Sequence, residues 1–533
     1  MLQRGEPRLP SLRLALLPAL VLLFCQALYC PLTPRSLLDS GRFVDDAFYY
    51  MQVARHAAAG QGFSVDGINA TNGFQPLWAW LLVPVSRLAP EPRAALPLVF
   101  ALQVLLLAAG LSFAGRGLLR LKPRAAPAWP AVLPLAMLAA WPGFSHPSLL
   151  GLETALLLCL LGLLFQALAR PGAGEGLASA LGLGLLAGLA CLARVDALLL
   201  AGLILLHLLQ LPGRRGPRLL AYCLPLLALA LPWLIHNRLA FGHWMPISGV
   251  AKHLYSQWAL QNDQARTGLP FWRLRLANLA WPLAQGEPMI FIAWGLGLLA
   301  AALAWRRAPS ALQLVLASVL LLYPAYALAQ YDQADFNWYY MPLYLALGLA
   351  AGWAWPRLWL AGARARWASA GLGLALGLAL LPGLWRDIQW KRAARAAEQA
   401  GAPALTPQGL MMEAARALGS RLPMGMVLSS HNSGIPGYFF RQAVVNLDGL
   451  ASGPERLASL ERDHNDVVPY LLAHPRIQGY CDLIRHDATA RVDAVMARAG
   501  LRPLDLARLG GPWQDAQGQV RLYLRLAPSP PSR

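Results

Sequence analysis

The chain has 533 residues, 57% of them hydrophobic and 13% charged, and its 45 Lys and Arg outnumber 26 Asp and Glu to give a formal net charge of +19. With a positive mean hydropathy, this composition excludes an ordinary soluble protein and describes a helical chain that crosses a membrane many times. The basic excess does not point to nucleic acid, because the arginines fall as small clusters between apolar blocks, as positive-inside anchors do.

Residues 1–31 carry Arg4, Arg8 and Arg13 ahead of an apolar run, and "ALYCPL" offers no small residue just before Cys30, so a retained anchor is expected in place of a cleaved signal. Apolar blocks lie at 12–31, 75–115, 129–145, 152–169, 177–193, 197–211, 219–236, 286–305, 311–329, 339–356 and 368–385. They imply at least eleven crossings. Several are shorter than the roughly 20 residues of a full span, so short or broken helices are expected. The block 75–115 is interrupted by "SRLAPEPR" and reads as one span plus a re-entrant or interfacial piece. Arginine clusters at 116–124, 170, 214–218, 306–307 and 357–366 then share the cytoplasmic side. Four segments remain outside: 32–74, a loop around 237–285, a short loop at 330–338, and the tail from about 386.

The first of these contains "FVDDAFYYMQVARHAAAGQGF", residues 43–63. Ala47, Tyr50, Met51, Ala54 and Ala58 recur at helical spacing while Asp45, Tyr49, Gln52 and His56 line another face, which predicts an amphipathic helix lying along the outer membrane surface. Asp45 or Asp46 would serve its first turn as cap or dipole partner, but capping needs only one acid. The Gly/Asn-rich loop "GQGFSVDGINATNGFQPLW", residues 60–78, brings Asp66, Asn69, Thr71, Asn72 and Gln75 close behind. Turn chemistry explains its glycines and asparagines, and the interfacial aromatic belt explains Trp78. Neither explains so many hydrogen-bonding groups beside two acids.

Further along, Glu153 opens a helix in "HPSLLGLETALLL", where it can face the helix dipole or act as an ionisable group at membrane depth. Arg194 falls at an outer turn, "ARVD", where the positive-inside bias would not place it without a partner; Asp196 can be that partner. Lys252, followed by His253, stands after "WMPIS" and reads either as a snorkelling lysine or as a functional cation. "QYDQADFNWYY" supplies Asp332, Asp335, Asn337, Trp338, Tyr339 and Tyr340, a mixture of carboxylates, amide and aromatic faces that suits a saccharide and that membrane anchoring also explains. Acidic oxygens of Asp45, Asp46 or Glu153 could hold Mg²⁺ or Mn²⁺, and the metal requirement stays open.

The tail is long enough for a domain of its own. Short β-like runs ("GMVLSS", "AVVNLDGL", "QVRLYLRL") alternate with helical stretches at 408–421 and 487–499, and the end "APSPPSR" reads as disordered. His431, Asn432 and Asp448 are polar candidates near strand ends, without the nucleophile elbow of a hydrolase. The six cysteines form no CxxC or Cys/His metal spacing. The expected architecture is therefore mainly α: a polytopic helical membrane bundle over 1–385, with its acidic first outer loop at 32–74, and a soluble C-terminal α/β domain over 386–533.

Taken together, "DDAFYYMQVAR", "GQGFSVDGINATNGFQPLW", "GLETALL", "GLACLARVDALLL", "FGHWMPISGVAKH", "FNWYYMPLY" and "AVVNLDGLAS" resemble the GT-C superfamily of membrane glycosyltransferases. The resemblance is to bacterial cell-envelope transferases, among them the arabinofuranosyltransferases. It implies a GT-C bundle whose partners are the bilayer, a polyprenyl-phosphate-linked sugar donor and an envelope glycan, lipid or protein acceptor. It further implies that an aspartate of the first outer loop, here Asp45 or Asp46, takes the acceptor hydroxyl's proton as the oxygen attacks the anomeric carbon with inversion. Charge builds on the departing phosphate, for which Lys252 with His253, and Arg194, are the candidates. Glu153, Asn72, Gln75, Asp196, Trp338 and Tyr339 are the candidate substrate contacts. The tail would cover the outer face or hold acceptor glycan, in the periplasm of a bacterial inner membrane. Two rivals have their own signatures. A lipid-linked sugar flippase or transporter would spread polar groups through the membrane midplane. A ligase using undecaprenyl diphosphate would need a denser cluster of outer arginines.

Overall fold

The computed structural model describes residues 13–29, 33–280, 288–331, 337–509 and 511–525. Arg4, Arg8, Cys30, Asp332, Asp335 and the "APSPPSR" end lie outside the described residues. The apolar blocks are mainly helical where they are described. Local chemistry sets several starts. Thr33 accepts the Ser36 N–H at 3.2 Å to cap Pro34–Asp39, and Glu91 accepts the Ala94 N–H at 2.9 Å to cap Pro92–Leu121, with Pro92 in the first turn. The interrupted block divides into Pro76–Leu88 and Pro92–Leu121.

Among the described residues four helices are long and apolar enough to span a bilayer: Pro92–Leu121, Arg215–Phe241, Ser310–Ala329 and Ala363–Gln399. Pro142–Leu149 and Thr154–Leu168 meet at 111° and together make a fifth, broken element. Others, such as Trp129–Ala140 and Leu177–Ala193, are shorter apolar helices. Small residues let the helices approach closely, as in membrane packing generally. A Cβ on Gly162 would stand 2.2 Å from the Gly110 carbonyl oxygen, so Pro92–Leu121 and Thr154–Leu168 touch backbone to backbone.

Ala363–Gln399 runs through residue 385, where hydropathy placed the domain boundary, and the α/β unit begins with Pro407–Gly419. Its strands are β1 (Val427–Ser430), β2 (Ala443–Asn446), β3 (Ile477–Arg485), β4 (Leu501–Pro503) and β5 (Gly518–Arg525). They lie in the order β2-β1-β3-β5-β4, with β1 parallel to β2 and β3, and β5 antiparallel to β3 and β4. The three strand-like runs of the sequence are β1, β2 and β5. The expected helices appear as Pro407–Gly419 and Thr489–Arg498.

The tail is not a tethered appendage. Met411, Leu418, Leu428 and Phe439 belong to the same buried core as Phe48, Met51 and Leu82 of the bundle. Between the two halves runs the Asp45–Ala58 helix, whose Ala47, Phe48, Tyr49, Met51, Gln52, Val53 and Ala54 are all buried. It therefore does not lie on an open surface as its amphipathic pattern predicted. Its polar face is covered by the tail: Gln52 Nε2 donates to the Gly434 carbonyl at 2.8 Å and Tyr49 Oη to Asp448 at 2.8 Å.

Candidate active site

Two interruptions of helical structure and two helix starts bring charged side chains to one cavity of about 320 Å³. Asp46 lies in the first turn of Asp45–Ala58. Glu153 stands at the bend before Thr154–Leu168. The bend's backbone is satisfied from neighbouring helices: Gln103 accepts the Gly151 N–H at 3.0 Å and donates to the Leu152 carbonyl at 2.6 Å, and Trp78 Nε1 donates to the Gly151 carbonyl at 3.0 Å. Non-helical backbone at membrane depth persists where such partners exist and where it lines a cavity. Arg194 is an extended residue between Leu177–Ala193 and the single turn Val195–Ala197. Lys252 comes from the start of Ile247–Thr267. Gln75, Asp196, Trp338 and Tyr339 complete the set of sequence candidates that line the cavity.

The two cations are held differently. Arg194 is 2% exposed. Its Nε donates to Asp196 Oδ2 at 3.1 Å, its Nη2 pairs with the same carboxylate and donates to Tyr326 Oη at 3.0 Å, and Nη1 lies 3.9 Å from Glu153 Oε1. Lys252 Nζ donates to Tyr339 Oη at 3.0 Å and stands 3.9 Å from Asp46 Oδ2. Burial disfavours the Lys252 charge, but the Tyr339 phenol and the Asp46 carboxylate outweigh it and hold the pKa above the ordinary lysine value. The Tyr339 ring lies between the two cations, 4.6 Å from the Arg194 guanidinium carbon and 5.5 Å from Lys252 Nζ. Three cavity residues carry buried polar atoms with no hydrogen-bond partner among the described residues: Gln75 Oε1, Glu153 Oε2 and Arg194 Nη1.

Three sequence candidates stand outside this cavity. Asp45 turns to the tail, where its two oxygens accept the Gly434 and Ile435 N–H groups at 3.0 and 2.9 Å. Asn72 is fully buried as a strut, donating to Asn237 Oδ1 at 2.9 Å and accepting the Ile247 N–H at 3.1 Å, so that it fixes the start of the Lys252 helix. His253 is exposed and paired with Gln257. Of the acids named for a divalent cation, Asp46 and Glu153 line the cavity and Asp45 turns to the tail. Among the described residues no three His, Cys, Asp or Glu side chains group as metal ligands.

Asp448 is buried against the same seam, accepting from Tyr49 Oη and from the Leu450 N–H at 2.7 Å. Burial pushes its pKa up to about 6. Burial likewise raises Asp45 to about 7, against the pull of its two N–H donors. His431 and Asn432 donate backbone N–H groups to Asp482 at 3.1 and 3.2 Å and hold the end of β1. Tyr49, Tyr50, Ser248, Tyr326 and Gln330 also line the cavity. The sequence pattern did not mark their role; aromatic residues near an interface look alike whether they anchor or line a site.

No family model and no curated protein matches the sequence. Solved structures do match. ArnT from Cupriavidus metallidurans bound to undecaprenyl phosphate is 14% identical, with a TM-score of 0.53 over 94% of this chain and 97% of that one. The archaeal oligosaccharyltransferase AglB from Archaeoglobus fulgidus, in complex with an inhibitory peptide and a dolichol-phosphate, is 11% identical, with a TM-score of 0.52 over 92% of this chain and 71% of that one. At these identities the likeness is one of architecture, and it agrees with the resemblance found in the sequence: the chain has the GT-C fold, a helical membrane bundle with a C-terminal α/β domain.

Proposed function

We propose that the chain is an integral membrane glycosyltransferase that moves one sugar from a polyprenyl-phosphate carrier to a hydroxyl of a cell-envelope glycan, lipid or protein. The observation that carries this reading is the trio of buried polar atoms without a hydrogen bond on Gln75, Glu153 and Arg194 in a single cavity. A buried polar atom without a partner costs about 1–3 kcal/mol, so three together mark a place for a polar ligand. A glycosyl phosphate supplies hydroxyl donors for the two oxygens and anionic acceptors for the guanidinium. The volume of about 320 Å³ sits at the lower end of small-molecule sites and suits one sugar with its phosphate. Leu322, Ala325 and Ala329 form an apolar wall from the Ser310–Ala329 helix, suited to the first carbons of the lipid.

In this mechanism Asp46 accepts the proton of the acceptor hydroxyl as its oxygen bonds to the anomeric carbon. The bond from that carbon to the phosphate oxygen breaks, and its electron pair leaves with the phosphate. Arg194 and Lys252 stabilise the charge that develops there. A single displacement inverts the anomeric centre. The segments that build the cavity are those the arginine distribution assigns to the outer side, which supports a site at the periplasmic face of a bacterial inner membrane, with the N-terminus cytoplasmic and the tail periplasmic. Charged groups gathered at one cavity also favour an enzyme over a flippase, whose polar groups would spread along a translocation path.

The test uses the full chain in membranes supplied with polyprenyl phosphate carrying a labelled sugar. Label should pass to an acceptor with release of polyprenyl phosphate, and Asp46→Asn should stop transfer while donor is still bound. Undiminished transfer by that variant would remove the proposed base.

A further inference from the structure

A second cavity, of about 830 Å³, lies between the start of Pro92–Leu121 and the tail and has no lining residue in common with the one around Asp46. It shares Arg55, Phe440 and Arg441 with an adjoining cavity of about 290 Å³. Four arginines line it, Arg55, Arg93, Arg416 and Arg441, against two acids, Glu91 and Glu413. Both acids also have partners outside the cavity, while their charges still act on Arg416. Glu413 Oε1 is 3.2 Å from Arg35, and Glu91 caps the Ala94 N–H. Arg55 is held by the Tyr438 and Gly437 carbonyls at 3.0 and 3.3 Å. Among the described residues no ion pair engages Arg93, Arg416 or Arg441. Arg93 Nε is moreover buried without a hydrogen-bond partner.

Like charges gathered in this way repel, and burial together with neighbouring Arg93 draws the Arg416 pKa below the ordinary arginine value, against the opposing pull of Glu91 and Glu413. An anion placed among the arginines offsets their mutual repulsion. Arg93 is in the first turn of a 30-residue candidate span. At about 1.5 Å per residue, such a helix outreaches a hydrocarbon layer of about 30 Å, so its ends stand at headgroup level. Guanidinium groups match phosphate oxygens in pairs, which makes phosphate the fitting anion.

We propose that this cavity binds a phosphate-bearing anionic group at the membrane interface, with Arg93, Arg416 and Arg441 as its ligands. The site is independent of the transfer chemistry. The source of the phosphate is either a lipid headgroup or a soluble phosphate, and the two are separated by experiment.

The full chain in mild detergent is titrated with phosphatidylglycerol or with phosphatidylcholine and followed by native mass spectrometry; a parallel thermal-unfolding series uses inorganic phosphate. Preferential phosphatidylglycerol adducts that persist in excess inorganic phosphate assign the lipid headgroup. Thermal protection by inorganic phosphate, with loss of the lipid preference, assigns a soluble ligand. In either case the combined Arg93→Gln, Arg416→Gln and Arg441→Gln substitutions should weaken binding by about tenfold or more, and exposed Arg441→Gln alone should weaken it measurably without loss of folded protein. Asp46→Asn should leave this binding intact, which separates the site from the proposed transfer reaction. Equal uptake of the two lipids together with no phosphate protection, or binding unchanged in both arginine variants, would overturn the proposal.

Discussion

Asp45 and Asp46 are neighbours in the chain and serve different partners: Asp45 spends both oxygens on the Gly434 and Ile435 N–H groups, while Asp46 Oδ2 lies 3.9 Å from Lys252 Nζ in the cavity. Their amide variants should therefore fail in different ways. Asp46→Asn removes a base without removing a docking contact, and turnover should fall by about 10²–10⁴-fold with thermal stability little changed. Asp45→Asn keeps one acceptor and turns an N–H donor toward a second N–H. It should cost about 1–3 kcal/mol of stability, with a smaller loss of turnover per folded molecule than Asp46→Asn. Transfer rates and unfolding curves measured on both variants decide this; a stable but inactive Asp45→Asn protein beside an active Asp46→Asn protein reverses the assignment.

The two cations should separate as well. Lys252 is 14% exposed at its side chain and meets the Tyr339 phenol and one carboxylate. Lys252→Met should lower turnover about 10²–10³-fold, the usual scale for losing one group aimed at a developing oxyanion, while the protein still folds. Arg194 answers two acids, the buried Glu153 and the half-buried Asp196. Arg194→Met strands those charges, and breaking a buried pair from one side costs about 3–5 kcal/mol. The expected result is loss of folded protein in detergent extracts, and an Arg194→Met variant as stable as wild type would argue against a buried pair.

Stability should fall as pH rises across the mildly acidic range. Asp45 titrates near 7 and Asp448 near 6 in the folded chain, against about 3.9 for an aspartate in an unfolded one. Between roughly pH 4 and the folded values, the native state therefore holds protons that the unfolded state has released. The stabilising protonation is complete at the acid end and is lost as pH climbs through 6 and 7, at up to about 1.4 kcal/mol per pH unit for each group. Comparing thermal midpoints at pH 5 and 8 tests this, with Asp448→Asn showing a shallower fall than wild type. Parallel profiles for the two proteins would mean that burial does not protonate this acid.

Much of the candidate site was legible because charge is scarce in this chain: Asp46, Glu153, Arg194, Asp196 and Lys252 each stood out against apolar surroundings, and the fold gathers all five at one cavity. What pattern could not decide was which member of the aspartate pair looks inward. Successive helical residues differ by about 100° in direction, and the choice depends on the Gly434 turn, 389 residues away in sequence. The same long-range contact explains why a polar helix face taken for a solvent or headgroup face is buried: Gln52 and Tyr49 meet tail groups that no local window contains. β3 escaped notice for a different reason. Ile477–Arg485 includes Gly479 and Asp482 and lacks a sustained apolar alternation, so its central place in the sheet comes from its neighbours on both sides and not from its own propensity.

That seam also yields a test that replaces no charged residue. Gly434 approaches Asp45 so closely that an added Cβ would lie 2.1 Å from the Asp45 carbonyl oxygen and 2.7 Å from its carboxylate. Real side-chain carbons do not tolerate such contacts, so Gly434→Ala must push the tail away from the first turn of Asp45–Ala58 or break the two N–H bonds to Asp45. Overpacking of this kind costs about 1–3 kcal/mol. Because Asp46 is the next residue, a shift of that turn also moves the proposed base relative to Lys252, and misplacement by about 1 Å can cost about 10²-fold in rate. Gly434→Ala should therefore lower turnover more than its loss of folded protein accounts for. The control is Gly425→Ala, a glycine of the same unit with open space around its Cβ position, which should leave both quantities near wild type. If Gly434→Ala matches that control in transfer rate and melting temperature, the contact between Asp45 and the tail does not position the site.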